Sequence, residues 1–141
     1  MKKWVFFLTL VVFVFGLTAC GGGKYADAKK LMEKQVQVFE NFVNGLDKAE
    51  NAEAVAAALN NFSDEMKSMV PQMKAIQEKY PELDNAADED IPAELKPLIE
   101  KLEKEIMPKF MSAMMKIGQY ADDPVVKEAN EKFQQTMSEL R

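Results

Sequence analysis

Apolar residues recur along most of this chain at steps of three and four, the spacing of one face of an α-helix. The cleanest run is Val55, Leu59, Phe62, Met66, Met69, Met73, Ile76 and Tyr80, which alternates steps of four and three without a break. This heptad-type seam predicts a helix that begins after Asn51, an N-cap residue, with Glu53 near the positive end of the helix dipole. Pro71 lies off the seam, and the seam keeps its phase across it, so a bend is expected there and not an end. An earlier helix is predicted from Tyr25 to Lys48, with Ala28, Leu31, Met32, Val36, Phe39, Phe42, Val43 and Leu46 on one broad face.

After the acidic stretch 81–92, a third helix is predicted from Ala93 to Tyr120. Its seam is Leu95, Ile99, Leu102, Ile106, Phe110, Ala113, Ile117 and Tyr120, widened by Leu98, Met107, Met111 and Met114. Pro97 falls in its first turns, and Pro108 predicts a kink. Asp123-Pro124 is a start signal, a capping acid followed by proline at the first helical position. The fourth helix then turns Val126, Ala129, Phe133, Met137 and Leu140 inward. No segment alternates with the period of a strand. The fold class is therefore all-α, and an up-down-up-down antiparallel four-helix bundle over residues 25–141 is expected.

The N-terminus has a different pattern. Lys2 and Lys3 precede Trp4 to Leu17, a run with almost no polar side chain. A charged start and a short apolar stretch are the layout of an export signal. The run is shorter than the ~20 residues a membrane-spanning helix needs. It ends in Leu17-Thr18-Ala19-Cys20, which resembles the bacterial lipobox: leucine, two small residues, then cysteine. The resemblance implies a signal peptide over 1–19, cleavage before Cys20, and diacylglyceryl transfer to its thiol. The alternative is a plain signal cut after Ala19 that leaves Cys20 as a free thiol. Each buried CH₂ contributes about 0.8 kcal/mol, and more than one chain makes the attachment stable. Lipidated Cys20 with Gly21 to Gly23 then reads as an anchor and tether over 20–24. Aspartate after the cysteine is the retention signal of inner-membrane lipoproteins. Gly21 stands there instead, so the expected place is the bacterial cell envelope, at the outer membrane facing the periplasm.

Composition narrows the chemistry further. The signal holds two lysines and no acid, so its removal leaves 16 basic residues against 23 acidic ones, a balance of −7. Such a chain is a poor partner for nucleic acid, and it offers no basic patch to anionic lipid heads. The membrane is expected as a partner through the acyl chains alone. The chain has no histidine, and Cys20 is its only cysteine, so an intrachain disulfide is excluded. Without histidine, a nucleophile beside a base, or a glycine-rich phosphate loop, catalysis is not expected.

The first helix junction reads Lys48-Ala49-Glu50-Asn51-Ala52-Glu53-Ala54-Val55-Ala56-Ala57-Ala58-Leu59, and Val126-Lys127-Glu128-Ala129 opens the fourth helix. These stretches, with the helix order and mature length, resemble the cytochrome b562 family of periplasmic four-helix haem proteins. That family holds haem between a methionine on helix one and a histidine near the end of helix four. Counting from the junction puts the methionine position at Val36. The histidine position falls beyond Arg141, in a chain with no histidine. The resemblance therefore implies the fold without the cofactor, and no cofactor is expected.

Met66, Met69 and Met73 share one face of helix two, and Met107, Met111 and Met114 share one face of helix three. If those helices pair, Met66 lies level with Met107. Thioethers are soft ligands that suit Cu(I). A small ligand or Cu(I) between helices two and three is thus the alternative to plain core packing by an adaptable side chain. Asp84, Asp88, Glu89 and Asp90 lack the spacing of a calcium loop and read as a solvated link. Tyr25, Tyr80 and Tyr120 fall near helix ends, where a ring packs while its hydroxyl meets water. The function expected is a non-catalytic, membrane-anchored interaction or structural module of the envelope, with an envelope protein as the partner.

Overall fold

A computed structural model describes residues 23–83 and 90–139. The expected signal peptide, Cys20, Gly21 and Gly22 of the expected tether, most of the acidic link, Leu140 and Arg141 lie outside the described residues. The described residues are all helical, with four helices and no strand. Helix α1 spans Ala26–Lys48 and α2 spans Ala52–Lys79. The third helix is built from α3 (Lys96–Lys101), a π-turn (Leu102–Ile106) and α4 (Met107–Gln119). Helix α5 spans Pro124–Glu139. A 3₁₀ turn, Pro81–Leu83, follows α2. No helix among the described residues is long and apolar enough to cross a membrane.

The helix starts follow from local chemistry. The Asn51 side chain accepts a 2.8 Å hydrogen bond from the Ala54 N–H, which satisfies one of the four free donors of a helix N-terminus. Asp123 does the same for the Val125 N–H at 3.0 Å, with Pro124 at the first position of α5. Helix α2 runs through Pro71 without ending. The third helix begins at Lys96 and not at Ala93, after a turn closed by the Leu95 N–H donating to the Pro92 carbonyl. Proline has no N–H to give, so Pro97 is accommodated in the first turn, and the helix starts just ahead of it.

Pro108 produces a π-turn. It cannot donate to the Lys104 carbonyl, and its ring crowds the preceding turn. The ladder widens there, with the Met107 N–H donating to the Leu102 carbonyl five residues back. A wider turn uses one extra residue. The apolar seam shows the same insertion, since Leu102, Ile106 and Phe110 stand at two successive steps of four.

All eight seam residues of α2 are buried. They face α1 on one side and α5 on the other, while the third helix packs mainly on α1. Phe42 sits at the centre, 4.6 Å from the Phe62 ring, 5.7 Å from Phe110 and 5.8 Å from Phe133, so one residue touches all three other helices. Phe39 adds edge-on contacts to Phe62 at 5.2 Å and Phe110 at 5.8 Å. Each such aromatic pair contributes about 0.5–1.5 kcal/mol beyond its buried area. The buried hydroxyls of Ser63 and Thr136 donate to the carbonyls four residues back, so neither is left unpaired.

Polar contacts show which helix ends meet. Lys79 pairs with Asp27, so the end of α2 lies at the start of α1. The Tyr25 N–H donates to Glu94 at 3.0 Å, Lys101 pairs with Glu40 at 2.8 Å, and Lys116 donates to the Asp47 carbonyl at 2.7 Å. The third helix therefore starts and finishes beside α1. Lys132 with Asp64 at 2.8 Å and Lys67 with Glu139 at 3.6 Å set α5 beside α2, again start beside start. The expected pairing of helix two with helix three is replaced by α2 with α5 and the third helix with α1.

Candidate functional site

Two regions stand out, the start of α1 and the methionines of α2 and α4. The first gathers where α1 begins, and is called the base below. Lys24 and Tyr25, which follow Gly21 to Gly23, both bind Glu82: the ammonium donates at 2.9 Å and the phenol hydroxyl at 3.0 Å. The buried Tyr80 hydroxyl has two acceptors at 2.7 Å, the Lys24 carbonyl and an Asp27 carboxylate oxygen. It holds one hydrogen and so serves one acceptor at a time. The Tyr25 and Tyr80 rings meet at 5.0 Å. The Tyr25 and Tyr80 hydroxyls are thus donors to the carboxylates and the carbonyl gathered where the chain enters the bundle; the Tyr25 bond lies at the surface, while the Tyr80 bonds are partly buried.

Charges at the base are mutually tuned. Burial alone would push Asp27 up, but donation from Lys79, the Tyr80 hydroxyl and the Ala28 N–H outweighs it and holds the carboxyl below its usual range. Hydrogen bonding from Lys24 lowers Glu82. Lys24 is raised by Glu82, and Lys79 by Asp27. Burial and the neighbouring Asp27 raise the Tyr80 phenol. The network binds residues 24–27 to the end of α2 and the approach to α3. It consists of paired carboxylates and lysines, with no unpaired base aimed into a cleft.

The second region is the methionine set. Met66, Met69 and Met73 lie fully inside, facing α1 and α5. Met107 and Met114 are half-buried against the core. Met111 is 66 % exposed, and it does not widen the buried face as expected. The reason is geometric. The third helix has one main neighbour, α1, so it buries a narrow stripe of Ile106, Phe110, Ala113 and Ile117. Five of the six expected methionines thus belong to or pack against one apolar core, and Met111 stands outside it. Met115, which sequence reasoning passed over, is 74 % exposed. Its signal was available, since it stands one helical turn beyond Met111 on the same ridge. Met115 also borders an open groove of about 500 Å³ with Val43, Asn44, Lys109, Lys116 and Gln119.

Val36, the position counted for a haem-ligating methionine, is buried in the apolar core. Cys20 lies outside the described residues. Among the described residues, no group of three or more histidine, cysteine or acidic side chains is placed to hold a metal ion. No protein-family profile, no curated protein and no solved structure matches the chain.

Proposed function

We propose that this chain is a bacterial envelope lipoprotein whose helical domain is a non-catalytic interaction module, held upright on the membrane by a short anchor. The address rests on Leu17-Thr18-Ala19-Cys20 after a charged and apolar leader. The observation that carries the posture is the base network, where Lys24 and Tyr25 are tied to Glu82, Glu94 and Tyr80. Only three residue steps separate Cys20 from Gly23, a reach of about 11 Å at full extension. An acyl chain on Cys20 would therefore keep the base against the lipid heads. Helix α2 has 28 residues, about 42 Å at 1.5 Å each, and this sets the height of the far tip.

The course up-down-up-down belongs to the same proposal, supported by the meeting of α2's end with α1's start and by the side-by-side starts of α1 with α3. The likeness to the cytochrome b562 family enters as a likeness of fold alone. The tip carries the Ala49–Asn51 junction and the Tyr120–Asp123 turn, joined by the Tyr120 hydroxyl donating to the Glu50 carbonyl at 3.1 Å. On the way to the tip α4 exposes the thioethers of Met111 and Met115, about two and a half and one and a half turns short of Tyr120. This end faces the periplasm in the proposed posture, and it is where an envelope protein would dock.

The test is fractionation with mass analysis. The full chain is expected in the membrane fraction, beginning at Cys20 and carrying acyl groups. Cys20→Ala is expected in the aqueous fraction with unchanged helical circular dichroism. An unmodified N-terminus on wild-type protein recovered from the aqueous fraction contradicts the proposal.

A further inference from the structure

The nine methionines of the described residues divide sharply by access. Met66, Met69 and Met73 are enclosed, Met32, Met107, Met114 and Met137 are half-buried, and Met111 and Met115 stand in solvent. The exposed pair is spaced i,i+4 on α4, where side chains are neighbours on the helix surface. A thioether is a two-electron reductant, and its product is a polar sulfoxide. Inside the core that product would bring a strong acceptor into apolar surroundings without a donor. On α4 it meets water, and Met115 borders a groove whose lining is largely polar, with Asn44, Asp47, Lys109, Lys116 and Gln119.

We propose that Met111 and Met115 form a reversible oxidation site for peroxides, one that changes the polarity of the α4 face and leaves the bundle folded. The sulfur lone pair attacks the nearer peroxide oxygen. The O–O bond breaks, an S–O bond forms, and the departing hydroxide takes a proton to leave as water. Sulfur loses two electrons and peroxide gains them. The return step consumes a dithiol: the sulfoxide oxygen leaves as water, and the dithiol becomes a disulfide. The site rests on the exposure of the two thioethers in the chain by itself and is independent of how the chain is anchored.

The experiment exposes the full chain in detergent micelles to hydrogen peroxide, follows oxygen uptake at each methionine by peptide mass mapping, and monitors helicity in parallel. Met111 and Met115 are expected to oxidise on the order of tenfold or more faster than Met66, Met69 and Met73, with helicity unchanged. A methionine sulfoxide reductase with dithiol is expected to restore both. Met111→Leu/Met115→Leu is expected to remove the fast phase and leave the slow one. Comparable rates at the enclosed methionines, a loss of helicity that tracks oxidation of the exposed pair, or sulfoxides that the reductase leaves in place would overturn the proposal.

Discussion

Helix two and the third helix carry equally apolar seams, yet the molecule treats them differently. Every seam residue of α2 is enclosed, because the helix is flanked by both α1 and α5. The third helix leans mainly on α1. Ile99 and Leu102 remain half-buried, and Met111 and Met115 face water. An apolar period states that a helix has an inner face. The number of neighbours states how wide that face is.

Truncation tests the contrast most severely. Met66→Ala removes a fully enclosed side chain, and a loss of about 2–5 kcal/mol is expected in urea unfolding. Met111→Ala on the third helix is expected to change stability by less than about 0.5 kcal/mol. Similar losses at both positions would erase the distinction between the two helices.

Capping gives an intermediate effect at the junction that starts α2. Asn51→Ala removes the acceptor of the Ala54 N–H, and a loss of about 1 kcal/mol is expected. On the third helix a gain is available. A Cβ added at Gly118 meets no atom within 4 Å, so Gly118→Ala is expected to stabilise by about 0.5–1 kcal/mol through helix propensity. A loss there would mean that the exposed end of α4 is more tightly packed than its surroundings indicate.

The base responds to pH. Asp27 in the folded chain is held below the unfolded carboxylate value, about 3.9. Its contribution is therefore complete above that value and is lost as pH falls through the lower folded value. Tyr80 is shifted upward, so its contribution is present below about pH 10 and is lost as pH rises through the folded value. Thermal melts of wild type and Asp27→Asn are expected to differ at neutral pH and to converge in acid. A constant difference across that range would remove Asp27 from the account.

Much of this fold was legible in the residues. The α2 seam, the Asn51 cap and the Asp123-Pro124 start read directly, because each depends on neighbours within one or two turns. Even the π-turn left a trace, in the doubled step of four from Leu102 to Phe110. Helix adjacency left none. Nothing in the local pattern of α2 says that its second main neighbour is α5 and not the third helix. The base network was equally hidden. Its partners Asp27 with Lys79 and Lys24 with Glu82 are more than fifty residues apart, so only folding brings them together.

In the proposed posture the bundle stands on the membrane by its base, with the far tip held about 40 Å away. With Cys20 acylated as proposed, the chain has no other cysteine, so a cysteine introduced at Ala93 or at Glu50 takes a fluorophore at one known place. Energy transfer to an acceptor dye in the lipid heads is expected to be strong from position 93 and weak from position 50. Equal transfer from the two positions would contradict the account.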